Sequence, residues 1–351
     1  MNALMGKKHM ADIGKRAIGT LAIPVIFIAV LLIICAASGR NVFPTEASFA
    51  NFTASAAVIT ITTIALSINL NSGRFDFSLG SMAVLSSVIA AKITYSILGG
   101  GSGSAVLMLL LSVVVGAIIG ALSGGIYVLL KIPPIITSLG VTLILEGVTY
   151  TITEGSYITA EVRNASMTAF SGGWYYPLIV MIAVLAIIIY LFDHTKFGYN
   201  YKALKEGQKV SVNTGIKEIP NAIACYLICG ALMGVVGFIN SSRSTLINGG
   251  SLNFGSIGIM FTAFLPMFIG GFIGRFSNDK LGYFLAGISM AFLNSTFVVF
   301  ANEVTSSTQS IINAVLLVVF LIYLSNERAI GNFFKKCFGA MTSHSKARKG
   351  A

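Results

Sequence analysis

Residues 104–134 read SAVLMLLLSVVVGAIIGALSGGIYVLLKIPP. From Ser104 to Leu130 the run holds no charged residue, and Lys131 followed by Pro133-Pro134 closes it. A helix needs about 20 apolar residues to cross a bilayer core, and prolines interrupt a helix. The stretch therefore reads as a membrane-spanning helix. Working outward, comparable windows fall near 17–37, 50–70, 75–97, 134–153, 175–192, 220–240, 255–275, 281–300 and 309–324. The expected fold is all-α, a polytopic membrane protein with about ten transmembrane helices. Composition agrees, with 55% hydrophobic residues, 10% charged residues and a mean hydropathy of +0.86. Soluble domains carry about 25% charged residues, so this chain has too little polar surface to cover a water-facing body of its size.

The net charge of +11 does not point to nucleic acid. The basic residues form no single face and fall in short segments between apolar runs, as the positive-inside rule produces. With ten spans, 19 of the 23 basic residues lie on the side of both termini, and Arg40, Arg163, Arg243 and Lys92 lie on the other. That bias predicts cytoplasmic termini. It divides the chain into a cytoplasmic segment 1–16, a transmembrane domain 17–325 and a basic cytoplasmic tail 326–351. The region 50–97 reads as two spans or one broken pair, because 69–76 is polar. Residues 154–174 form the longest external loop and 193–219 the longest cytoplasmic one.

Several features carry chemistry. Gly116, Gly120 and Gly124, and again Gly230 and Gly234, recur every four residues, the spacing that lets helix backbones approach closely. The segment Gly73-Arg74-Phe75-Asp76-Phe77-Ser78-Leu79-Gly80-Ser81 places two charges between apolar spans. It reads as a turn in which Asp76 or Ser78 caps the next helix. Glu146 is the only carboxylate well inside a span, and an intramembrane acid is a functional candidate. The loop 193–219 is longer than a mere connection needs, and a short amphipathic helix from about Tyr201 to Val210 could dock a soluble partner. Cys225 and Cys229, spaced i, i+4, read as packing residues, and no further ligands mark a metal site. No phosphate-binding loop of the Gly-x-x-x-x-Gly-Lys-Ser/Thr type is present, and no nucleophile constellation assembles, which argues against an enzyme.

The order of these motifs resembles the permease subunit of bacterial ATP-binding-cassette importers for ribose and related monosaccharides, a group with nucleoside-carrying relatives. Residues 73–81 stand where the family shows Gly-Gly-Ile-Asp-Leu-Ser-Val-Gly-Ser, with Arg74-Phe75 in place of Gly-Ile. Lys131-Ile132-Pro133-Pro134 followed by Thr137-Ser138-Leu139-Gly140 matches its basic-Ile-Pro-Pro turn and Thr-Leu-Gly. Thr214-Gly215-Ile216 stands where the coupling loop ends in Ser-Gly-Ile. Tyr226, Gly230, Gly234 and Gly237 are similar to the following glycine-rich span.

The resemblance covers roughly 50–325. It implies a pathway formed by two permease copies or by one copy and a related permease. It also implies ATPase subunits on the cytoplasmic face, carrying the ATP and Mg that this chain would not bind, and an extracytoplasmic solute-binding protein. ATPase contact is expected at Lys205, Glu206, Gly207, Gln208 and Gly215. The family motif would rest on Asp76, Ser78 and Gly80. Candidates for the pathway are Asn69, Phe292, Asn294 and Glu146. A proton- or sodium-coupled carrier is the alternative reading, with Glu146 as its coupling acid, and a scaffold without transport is a third.

Overall fold

The computed structural model describes residues 2–101, 103–158, 173–244 and 246–326, with side chains from Gly19 onward. The sequence-predicted external loop, with Arg163, lies mostly outside these residues, as do Cys337 and the basic tail. The helices are α1 (Asn2–Ala37), α2 (Glu46–Leu70), α3 (Leu79–Leu98), α4 (Ser104–Leu130), α5 (Pro134–Thr153), α6 (Tyr175–His194), α7 (Lys196–Glu206), α8 (Gln208–Asn213), α9 (Glu218–Ser244), α10 (Ile257–Phe261), α11 (Phe264–Gly274), α12 (Asp279–Val299) and α13 (Ser306–Ser325). Ten stretches of these helices are long and apolar enough to cross a membrane, with α10 and α11 counted as one. They coincide with the ten windows read from the sequence, and the protein is a multi-pass membrane protein. A two-residue antiparallel pair, β1 (Tyr157–Ile158) and β2 (Ile247–Asn248), is the only sheet among the described residues.

The chain divides into two compact units, residues 1–300 and 301–351. The second carries α13, whose start is capped by Thr305 Oγ1, which accepts from Thr308 N at 3.3 Å. Within the first unit, α2 and α9 are buried over most of their length. The glycine spacing finds its reason in the seam between α4 and α9. A Cβ on Gly116 would strike the Gly230 carbonyl, and one on Gly120 would strike the Tyr226 carbonyl. Lipid tails are as apolar as leucine, so such seams hold by close van der Waals packing rather than by a hydrophobic drive. Cys225 and Cys229 are free and buried in the same helix, as packing residues would be.

Two links between helices lead to helix starts that are buried in the bundle. Gly73, with φ +73°, stops α2, and Arg74 N closes the turn on Asn69 O at 2.9 Å. The chain then turns back through residues whose Arg74, Asp76 and Ser78 are buried, and α3 begins within the protein. Arg74 lies beside Cys225 near the start of α9, whereas a Cβ on Gly237, near its end, would meet Ala83. The second link, 246–256, is exposed over most of its length and buried at Ser256; it leads from the end of α9 back to α10, and α11 then runs toward the end where α2 stops. Non-helical backbone at membrane depth survives only where protein or a cavity surrounds it. The turn expected at 73–81 is present with its Arg74, Asp76 and Ser78 buried, and Asp76 accepts from Ser78 at the start of α3.

Candidate functional site: two helix starts inside the bundle

A helix start leaves N–H groups without intrahelical partners, at the positive end of the helix dipole, and at both buried starts carboxylates meet them. At α3, Asp76 Oδ1 accepts from Ser78 N at 2.9 Å and from Ser78 Oγ at 2.6 Å. At α10 the carboxylate comes from another helix. Glu146 Oε1 accepts from Ser256 N at 2.8 Å and Ser256 Oγ at 2.6 Å, and Oε2 accepts from Phe254 N at 2.9 Å. The two starts share one grammar: a carboxylate grips the amide and hydroxyl of one serine. They also touch, since a Cβ on Gly80 would run into the Ser256 carbonyl. Glu146 further holds a strained turn, with φ +56° at Asn253 and +68° at Phe254. A bulky residue such as phenylalanine rarely adopts that region.

The structure brings together Asn69, Asp76, Ser78, Gly80 and Glu146. Asn69 Nδ2 reaches Asp76 Oδ2 at 3.4 Å, while its Oδ1 is buried without a partner. Arg74 is 5% exposed, its NH2 lies 3.7 Å from Cys225 Sγ, and its Nε has no partner. Phe292 does not join this group. It packs edge-on against Phe43 and Phe52, and Phe52 lies 17 residues before Asn69, about 25 Å along α2. Asn294, two residues on, is half-buried with the same stretch of α12.

At the end where α2 stops, the loop after α6 is folded. It forms two helices rather than the single one expected over 201–210, because Gly207 (φ −172°, ψ 86°) breaks the run. Ser211 Oγ donates to Ala203 O at 2.7 Å and folds α8 onto α7. Asp193 takes Lys202 at 2.6 Å, Lys280 at 2.8 Å and Asn278 at 2.9 Å, tying α6, α7 and α12 together. Lys205 pairs with Asp279 at 3.4 Å, and Gln208 bonds Glu218. Tyr201 donates at 2.9 Å to Ile68 O, a carbonyl of the last turn of α2 that also accepts from Ser72 Oγ at 2.7 Å. Lys205, Glu206, Gln208 and Gly215 are exposed, Gly207 is half-exposed, and Val210 and Val212 stand out as exposed apolar residues beside them. Sequence reading missed Asp193, Tyr201, Ser256 and Asp279. The one signal available was a lone acid, Asp193, at the end of an apolar span.

The sequence profile of the family described as branched-chain amino acid transport system / permease component matches residues 48–324. The chain belongs to this family. The permease is 27% identical over 224 residues to the ribose import permease protein RbsC of Escherichia coli K12, covering 62% of this chain and 68% of that one. It is 26% identical over 272 residues to the inner membrane ABC transporter permease protein YjfF of the same organism, covering 76% and 80%. With the L-arabinose transport system permease protein AraH it shares 25% over 224 residues, covering 62% and 65%. No solved structure matches the permease significantly. The matched region takes in both inner helix starts, the α7–α8 hairpin and every span from α2 onward.

Proposed function

We propose that this permease is the membrane-spanning subunit of an ATP-binding-cassette importer that moves a monosaccharide or a similar small polar solute across a bacterial cytoplasmic membrane. The observation that carries the reading is the family match over 48–324, together with relatives named for ribose and L-arabinose. In this reading the α7–α8 hairpin faces the cytoplasm and receives a separate ATPase subunit. Val210 and Val212 supply apolar contact, and Lys205, Glu206, Gly207, Gln208 and Gly215 frame it. ATP and Mg belong to that partner. A second permease copy or a related permease completes the pathway, and an extracytoplasmic binding protein delivers the solute. ATPase closure would rock the bundle and exchange one open end for the other.

The carrier reading draws no support from Glu146. A coupling acid must take up and release a proton or ion, whereas this carboxylate accepts three hydrogen bonds at 2.6–2.9 Å. The test is purification from native membranes in mild detergent, with mass spectrometry and an ATPase assay. Co-purification of an ATP-binding subunit, with activity stimulated by a binding protein, is the expected result. A chain that purifies alone and without ATPase activity overturns the reading.

A further inference from the structure

Four non-glycine residues have positive φ among the described ones, and two of them, Asn253 and Phe254, stand side by side in the link 246–256. Asparagine takes the left-handed region readily, and phenylalanine does not. Such a conformation is strained for a residue with a full side chain, and it persists only where the surroundings over-determine it. The group that holds it here is on α5. Glu146 Oε2 accepts from Phe254 N at 2.9 Å, and Oε1 accepts from Ser256 N at 2.8 Å and Ser256 Oγ at 2.6 Å. Phe254 is 38% exposed, so burial of its ring is not what fastens the turn.

The rest of the link leans on the same helix and on the strand after it. Ile247 pairs with Ile158, and Asn248 pairs with Tyr157. A Cβ on Gly249 would strike Thr153, and one on Gly250 would come against the Gly155 carbonyl. Helix α5 is itself lightly tied to its neighbours. The hydroxyls of Thr142, Thr149 and Thr153 donate to carbonyls of α5. Among the described residues, its hydrogen bonds to other elements are those of Glu146 and the one that Ile152 O accepts from Lys92 Nζ of α3 at 2.8 Å. Asn248, Ser251 and Ser256 of the link form one wall of a cavity of about 310 Å³, which α3 and the last turns of α9 complete. Leu252, Asn253, Phe254 and Gly255 are exposed. The link thus stands between the cavity and the molecular surface.

We propose that residues 249–255 are a spring-loaded gate on this cavity, with Glu146 as its catch. Held by Glu146, the two left-handed residues keep the link folded against α5 and the cavity walled. When α5 shifts, Glu146 lets go of the Phe254 and Ser256 amides, Phe254 leaves the left-handed region, and the cavity opens. Relief of the strain at Phe254 offsets part of the cost of breaking those bonds. Glu146 is a positioning residue in this device, since it acts on access through the backbone of Phe254. Helix α9 ends beside the link with Arg243, which the charge bias sets opposite the termini. In the importer reading the gate therefore faces outward, and the spring and the catch do not depend on that reading.

The experiment times the labelling of Asn240→Cys, on the cavity wall, by a small methanethiosulfonate. It uses the full chain purified from native membranes with its bound partners, and Cys337→Ser removes the thiol of the tail. Cys35, Cys225 and Cys229 are buried. Phe254→Gly removes the strain and keeps the amide that Glu146 holds. Phe254→Ala removes the same ring and keeps the strain. Glu146→Gln weakens the catch. Glycine is at ease in the left-handed region but gains freedom on release, so Phe254→Gly should slow labelling about fivefold relative to Phe254→Ala. Glu146→Gln should speed labelling. Equal rates for the Gly and Ala variants overturn the spring, and a Gln variant that labels no faster than wild type overturns the catch. Loss of ring packing is common to both Phe254 variants and cancels in their ratio, and Glu146→Gln read alone keeps the gate testable if neither folds. Labelling needs no ATPase, so a chain that purifies alone, which ends the importer reading, still answers this test.

Discussion

At the residue scale, Glu146 separates a structural role from a chemical one. Its carboxylate pairs two backbone amides and a hydroxyl inside the bundle. Leaving a buried donor unpaired costs about 1–3 kcal/mol. Glu146→Ala strands three, whereas Glu146→Gln keeps one acceptor oxygen in place. The expected order of thermal stability in detergent is wild type, then Gln, then Ala, with uptake falling in the same order. A Gln variant as stable as wild type but without transport would return Glu146 to the role of a coupling acid. Arg74 makes the opposite case. A buried guanidinium whose Nε has no partner gains little, and apolar replacements of buried charges are often neutral or stabilising by about 1–4 kcal/mol. Arg74→Met should melt no lower than wild type, and a drop of several degrees in a melting curve would show that the cation has a stabilising partner after all.

At the scale of elements, the glycine seam between α4 and α9 makes a matched comparison possible within one helix. A Cβ at position 120 meets the backbone of α9, while one at 125 meets nothing within 4 Å. Overpacking a close-fitted contact costs about 1–3 kcal/mol. Gly120→Ala should therefore lower the yield of folded, monodisperse protein and its melting temperature, and Gly125→Ala should leave both unchanged. Equal behaviour of the two would mean that the seam can open without loss. The seam was legible in the sequence because small residues at four-residue spacing have few other uses in a membrane helix. The break between α7 and α8 was not, because the residues on both sides of Gly207 are good helix formers and only tertiary contacts, such as Ser211 on Ala203, show that the run folds back.

At the scale of the whole molecule, the spans were legible for a reason specific to membranes. Lipid forces each crossing segment to satisfy its own backbone and to be apolar for about 20 residues, so the fold is written locally. The buried helix starts are written non-locally: 110 residues separate Glu146 from the Ser256 that it grips, and charges at 74 and 76 look like any surface turn until their partners are known. The same non-local wiring suggests how the α7–α8 hairpin reaches the site. Tyr201 holds Ile68 O at the end of α2, Asn69 beside it holds Asp76, and Asp76 fixes the start of α3. A chain of contacts is only a route, and coupling has to be measured. In the proposed importer, Tyr201→Phe removes one hydroxyl and leaves the ring packed edge-on against Phe192, 4.9 Å away. Assembly and basal ATP hydrolysis should persist, while solute uptake per ATP falls by a factor of about 5–150, the range of ordinary coupling energies. Uptake and hydrolysis falling together would place Tyr201 in the folding of the hairpin. An unchanged ratio at full activity would show that the signal enters the bundle elsewhere, with the pair of Asp193 on α6 and Lys280 on α12 the next contact to break.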